Sequence, residues 1–135
     1  MTSKLGFSVG SVAIAAALAL LGAAAPNEKL GRGKYLTEQV GLCIDCHTPH
    51  TEKGEPDKSQ WLKGAPIGFK PIHPMPWAEY APELAGLRAW KDEYVATLLS
   101  TGKRPDGTMP RPPMPPYRMT KEDAAAVAAY LRSLK

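Results

Sequence analysis

Cys43 and Cys46 are the only two cysteines in the chain, and His47 follows the second directly. Two thiols three positions apart can each add to one vinyl group of a single porphyrin, and the adjacent imidazole can then ligate the iron from one face. The run Cys43-Ile44-Asp45-Cys46-His47 therefore reads as a covalent haem-attachment site that uses all three reactive side chains together. Two other chemistries draw on the same residue types. A redox disulfide favours a thioredoxin-like βαβ setting, and no strand-rich pattern surrounds this motif. A structural zinc site needs a second ligand pair with spacing of its own, which His50 and His73 do not form. One motif and no internal repeat imply one covalently bound haem c.

An iron held by one histidine has a second face to fill. Methionine is a frequent second ligand and raises the reduction potential relative to two histidines. Met75, Met109, Met114 and Met119 are available once Met1 is lost. Met119 directly precedes Thr120 and suits a hydrophobic staple against Ala124. Met75 and Met109 each stand beside a proline in loops without a fixed place. Met114 lies in Pro112-Pro113-Met114-Pro115-Pro116, whose prolines restrict the backbone on both sides. A thioether binds weakly, so a segment that loses little entropy on binding is a suitable carrier for it. Met114 is thus the expected distal axial ligand, with His73, Met75 and Met109 as alternatives. The competing view of the segment is a surface polyproline stretch with a gap-filling methionine.

The elements that must position these groups are helices. Asn27 can cap a helix over residues 28–39 with Glu28 in its first turn, and Gly31 and Gly33 inside it suggest a close crossing by another helix. Residues 48–76 carry too many glycines and prolines for regular structure. A loop that long has a physical reason if it wraps a prosthetic group, with Trp61, Ile67, Phe69, Ile72 and Trp77 as candidate contacts. A second helix is expected over residues 91–100, with Asp92 and Glu93 at its start, an apolar stripe of Tyr94, Val95, Leu98 and Leu99, and Gly102 past its end. Residues 82–87 suit a short helical turn. The prolines of residues 104–117 forbid a helix there. Thr120 then caps the strongest helix, with Glu122 and Asp123 in its first turn and Ala124, Val127, Ala128, Leu131 and Leu134 as its buried stripe. No strand pattern is evident, so the expected class is all-α, with three to four short helices and long loops.

Residues 1–24 form an export leader: Lys4 is a short basic start, residues 5–21 are apolar or small, and Gly22-Ala23-Ala24-Ala25 supplies a cleavage region. Cleavage after Ala24 avoids placing Pro26 next to the cut. The rival is an uncleaved membrane anchor, since residues 5–25 approach the roughly 20 needed to cross a bilayer; Ser8, Gly10, Ser11 and Gly22 make the stretch weakly apolar for that role. Export agrees with covalent haem attachment, which in a bacterium points to the periplasm. Residues 25–135 then make one small domain. The net charge of +4 is dispersed, and no basic cluster alternates with aromatics, so nucleic acid is not an expected partner. No paired carboxylates, Ser/His/Asp set or phosphate loop argues for other catalysis.

Together, several stretches give a resemblance. Gly33-Lys34-Tyr35-Leu36 precedes the Cys43–His47 motif with Thr48-Pro49, and Trp90 precedes a helix ending at Gly102. Asp106-Gly107, Pro113-Met114-Pro115, Thr120-Lys121-Glu122-Asp123 and Ala129-Tyr130-Leu131 follow. Along its mature length the chain resembles the small monohaem class I cytochromes c, including the cytochrome modules that accompany periplasmic dehydrogenases. The resemblance implies a cytochrome c-like fold and an electron carrier rather than an enzyme. Its redox partners would be a periplasmic dehydrogenase, terminal oxidase or reductase. It also implies Met114 as iron ligand, a crossing of the terminal helices at Gly31 and Tyr130, and a proline carbonyl, Pro56 or Pro66, that receives the His47 N–H. Ile72-His73-Pro74-Met75-Pro76-Trp77 departs from the segment many relatives carry. Two other functions compete: a subunit permanently bound to a dehydrogenase or oxidase, and an open-site haem sensor or peroxidase using His73.

Overall fold

The computed structural model of the chain describes residues 25–135, so the leader expected over residues 1–24 lies outside the described residues. Helix α1, Pro26–Tyr35, starts with proline in its first turn, and Ala25 rather than Asn27 occupies the cap position. Proline presets the helical φ and lacks an N–H that would go unpaired there, so it displaces the expected asparagine cap. The chain continues through a wide π-type turn, Leu36–Val40, closed by Gly41 N–H donating to the Leu36 carbonyl at 2.7 Å. Helix α2 is the motif itself, Cys43–His47. Helix α3, Asp92–Thr101, stops where Gly102 takes the left-handed conformation at φ 73°. Helix α4, Lys121–Ser133, begins as its sequence requires, with Thr120 Oγ1 accepting from Asp123 N–H at 3.1 Å.

Two features depart from an all-helical reading of the middle. Strands β1, Ala65–Pro66, and β2, Tyr80–Ala81, pair antiparallel in the register Ala65 with Ala81. Two residues per strand are too few to leave an alternating pattern in the sequence. The expected turn over residues 82–87 is a 3₁₀ turn confined to Ala85–Leu87, which Gly86 interrupts at φ 70°. The architecture is otherwise the expected one: helices around one core, joined by long loops.

Helices α1 and α4 cross, and a glycine lets their backbones approach. It is Gly33, not the expected Gly31. A Cβ on Gly33 would lie 2.0 Å from the Ala126 carbonyl oxygen and 2.8 Å from Tyr130 Cβ, whereas one on Gly31 would meet nothing within 4 Å. Polar contacts close the crossing on both sides. Arg32 donates Nε and Nη2 to the two carboxylate oxygens of Asp123, at 2.9 and 3.0 Å. On the other side buried Glu38 accepts from both Lys34 and the Tyr130 hydroxyl. Beneath the crossing, Leu36, Leu62, Leu87, Leu99, Val127 and Leu131 form the core.

Burial alone would raise the Glu38 pKa, but hydrogen bonds from Lys34 and Tyr130, with the Lys34 charge, outweigh it and hold the carboxyl below its ordinary value of 4.5. The same bond, after desolvation, pushes the Tyr130 hydroxyl up to about 12. A folded-state pKa below the unfolded one stabilises the fold above the unfolded value, and the contribution is lost as pH falls through the folded value. In denaturant unfolding, Glu38→Gln is expected to cost about 1.5–3 kcal/mol at neutral pH, a difference that shrinks as the pH falls below 4.5; a pH-independent cost would contradict this. The crossing predicts a second contrast. Gly33→Ala loses at least about 1–3 kcal/mol because its methyl meets backbone, while Gly31→Ala is neutral or gains about 0.5–1 kcal/mol of helix propensity. Thermal unfolding of the two variants decides between the glycines.

Candidate haem-attachment site

A cavity of about 400 Å³ lies between α2, α3, α4 and the proline segment. Cys43, Cys46, His47 and Met114 all line it. His47 is buried, and its Nδ1 is 2.7 Å from the Pro82 carbonyl oxygen. A carbonyl only accepts, so Nδ1 carries the proton and Nε2 keeps its lone pair. Burial also lowers the pKa of the ring, although the bond to Pro82 works in the opposite sense. Nε2 has no protein partner among the described residues, and no buried side-chain nitrogen or oxygen there is left unpaired, so this atom keeps access to the cavity. A neutral imidazole fixed through Nδ1 and free at Nε2 is the form that ligates a metal.

Pro82 corrects the expected acceptors. Pro56 bridges to His50, and Pro66 pairs with Tyr80 in the β1–β2 ribbon. That ribbon delivers the acceptor, because β2 ends immediately before Pro82. The other supports converge on the same backbone. Leu62 N–H donates to Thr48 Oγ1 at 3.0 Å, and the Leu62 carbonyl accepts from Leu84 and Ala85 at 2.8 and 3.0 Å. Gly64 N–H donates to the His47 carbonyl at 2.8 Å. Gly64 has φ +84°, and a Cβ there would lie 2.8 Å from the Ala81 oxygen and 2.9 Å from Glu83 N. Only glycine meets both conditions.

Burial pushes the Cys43 thiol up to about 11 and raises that of Cys46 as well. Among the described residues no group of three or more His, Cys, Asp or Glu side chains is arranged to hold a metal ion.

The rest of the wall suits a porphyrin, an apolar plate with two carboxylates. Ile67, Leu98, Leu99 and Leu131 line it, and Trp90 and Tyr94 pack with centroids 4.9 Å apart. Glu79, Arg104 and Arg111 are its charged side chains. Neither arginine belongs to an ion pair among the described residues; Arg104 Nη1 donates to Thr108 Oγ1 and to the Met109 carbonyl, which holds its positive charge at the cavity wall beside that of Arg111. Haem held here would use Cys43 and Cys46 as thioethers, and His47 Nε2 on the iron.

Several expected contacts lie elsewhere. Of the five loop candidates only Ile67 reaches the cavity wall. Trp61 packs on the core, Phe69 and Trp77 stack edge-on at 5.6 Å, and Ile72 is 95% exposed. His73, Met75 and Met109 do not line the cavity, and both of those methionines are 48% exposed. Met119 packs against the helical core, in the cluster that contains Ala124. Sequence reasoning missed Pro82, Arg104, Arg111 and Tyr117. The spacing of Tyr117 to Met114, inside one proline-rich segment, was the available signal for the last.

The cytochrome c family model matches residues 31–135. The chain belongs to the cytochrome c family. This membership implies a covalently bound haem c and an electron-transfer role. A diheme cytochrome c-type protein of Cereibacter sphaeroides is 34% identical over 113 residues, covering 80% of this chain and 36% of that one. The fructose dehydrogenase cytochrome subunit of Gluconobacter japonicus is 30% identical over 113 residues, covering 80% of this chain and 22% of its own length. This cytochrome thus spans between about a fifth and two fifths of the curated relatives it matches. Within it, Gly64→Ala is expected to destabilise by more than about 1 kcal/mol and to lower the fraction of purified protein carrying haem. The ratio of haem to protein absorbance reports this, and a wild-type ratio would contradict the role given to Gly64.

Proposed function

We propose that this cytochrome carries single electrons between periplasmic redox partners on one haem whose iron has His47 and Met114 as axial ligands. The supporting observation is one cavity lined by both cysteines, by a His47 ring with free Nε2, and by Met114. Haem bound there supplies the one-electron chemistry. The protein supplies two axial ligands, an apolar enclosure that tunes the potential, and a charge balance for the carboxylates. Two bound protein ligands leave the iron no open position, which suits a carrier rather than a sensor or peroxidase. His73, the residue such an enzyme would need, is exposed and off the cavity wall.

A second reading has its own support in the similarity to the fructose dehydrogenase cytochrome subunit. In it the same domain is held permanently to a dehydrogenase and passes that enzyme's electrons onward. No helix among the described residues is long and apolar enough to cross a membrane. In this reading the leader expected over residues 1–24 directs the protein to the periplasm, where its redox partners are proteins such as a dehydrogenase, a terminal oxidase or a reductase.

The ligand assignment has a direct spectroscopic test. Ferric wild-type protein is expected to show the weak near-infrared charge-transfer band of sulfur ligation. Met114→Ala abolishes the band, and Met75→Ala and Met109→Ala retain it. The reduced wild-type protein does not bind carbon monoxide readily at neutral pH, and Met114→Ala does. A band that survives in Met114→Ala, or rapid binding of carbon monoxide by the wild type, would count against closed His/Met ligation.

A further inference from the structure

The segment that carries Met114 ends where Met119 N–H bonds to the Leu99 carbonyl of α3 at 2.9 Å, and nearer the methionine it is tied on either side. Before it, the Pro112 carbonyl accepts from Ala78 N–H at 2.8 Å. After it, the Tyr117 hydroxyl reaches across the cavity wall and donates to the carbonyl of Gly41, two residues before Cys43. Between the ties, Pro113, Pro115 and Pro116 have no N–H, and Met114 donates only locally, to the Arg111 carbonyl at 3.3 Å. Backbone bonds thus hold the stretch weakly. Gly41 provides the space for the second tie: a Cβ there would lie 3.0 Å from the Leu36 oxygen, 3.4 Å from Cys43 Sγ and 3.7 Å from Tyr117 Cε1. The Tyr117 ring also lines the cavity, so the hydroxyl joins the methionine segment to the haem-attachment loop directly.

We propose that Tyr117 is a positioning residue, a latch that keeps the Met114 sulfur on the iron by tying the methionine segment to the backbone ahead of Cys43. The proposal rests on Met114 being the distal ligand. Displacing the sulfur requires its segment to move outward, away from α2. The Tyr117–Gly41 bond opposes that movement, and its loss leaves the local barrier lower without touching the sulfur itself. Removing the hydroxyl also leaves a carbonyl short of its partner, which adds to the effect.

The test uses ferric holoprotein, free imidazole as the competing ligand, and two substitutions. Tyr117→Phe removes the latch and keeps the ring. Thr120→Ala removes the α4 cap close by, which lowers overall stability but leaves the latch intact. Tyr117→Phe is expected to take up imidazole about tenfold faster than wild type, the scale of one lost hydrogen bond. Its sulfur band should also disappear well below the temperature of global unfolding. Thr120→Ala should unfold earlier yet bind imidazole at the wild-type rate. Wild-type imidazole kinetics in Tyr117→Phe, or equal acceleration in both variants, overturns the latch. A wild-type protein with no sulfur band overturns the Met114 assignment instead, and the latch with it, so the two failures are distinguishable.

Discussion

The 2.7 Å hydrogen bond from His47 Nδ1 to the Pro82 carbonyl decides which nitrogen the cavity meets. Without it either tautomer of the imidazole is accessible, and only one presents a lone pair at Nε2. The acceptor must be a backbone carbonyl held at a fixed place, and much of the proximal loop serves that purpose. The two-residue ribbon of Ala65–Pro66 with Tyr80–Ala81, the Leu62 carbonyl with its two donors, and Gly64 at positive φ all converge on the backbone around Pro82. A long irregular loop thereby achieves the rigidity that a helix or sheet would otherwise provide.

The terminal helices form the frame. Gly33 allows α1 to contact the backbone of α4 at Ala126, and Tyr130 reaches back to Glu38 beside the same crossing. The chain leaves α1 through the π turn and enters the haem-binding motif at once, so the crossing also fixes where Cys43 and Cys46 emerge. On the distal side α4 continues from the methionine segment, which Met119 N–H joins to the Leu99 carbonyl of α3 at 2.9 Å. Proximal and distal parts of the site are therefore attached to the same pair of helices. The Tyr117–Gly41 bond links them directly.

Features written in side-chain chemistry were legible in the sequence. Thr120, Asp123 and the α4 stripe specified their helix, Gly102 marked the end of α3, and the prolines around Met114 set that segment apart. Features carried by the main chain were not. Pro82 accepts through its carbonyl, an atom every residue has, and lies 35 positions from His47. Pro56 and Pro66 were nearer in sequence and equally plausible. The choice between Gly31 and Gly33 depends on the rotational phase of α1 against a distant partner, and both glycines look alike within their own helix. The aromatic residues of the long loop misled for a related reason. Phe69 and Trp77 satisfy one another, and only the fold reveals that neither ring lines the cavity.

The central claim is that one iron is held between an imidazole nitrogen of His47 and the thioether sulfur of Met114. Iron-edge X-ray absorption fine structure of the purified ferric holoprotein, combined with an iron-to-protein ratio, tests it without any substitution. The account predicts one iron per chain with a single sulfur neighbour among otherwise nitrogen ligands. A first shell of nitrogen and oxygen alone, or more than one iron per chain, would contradict it.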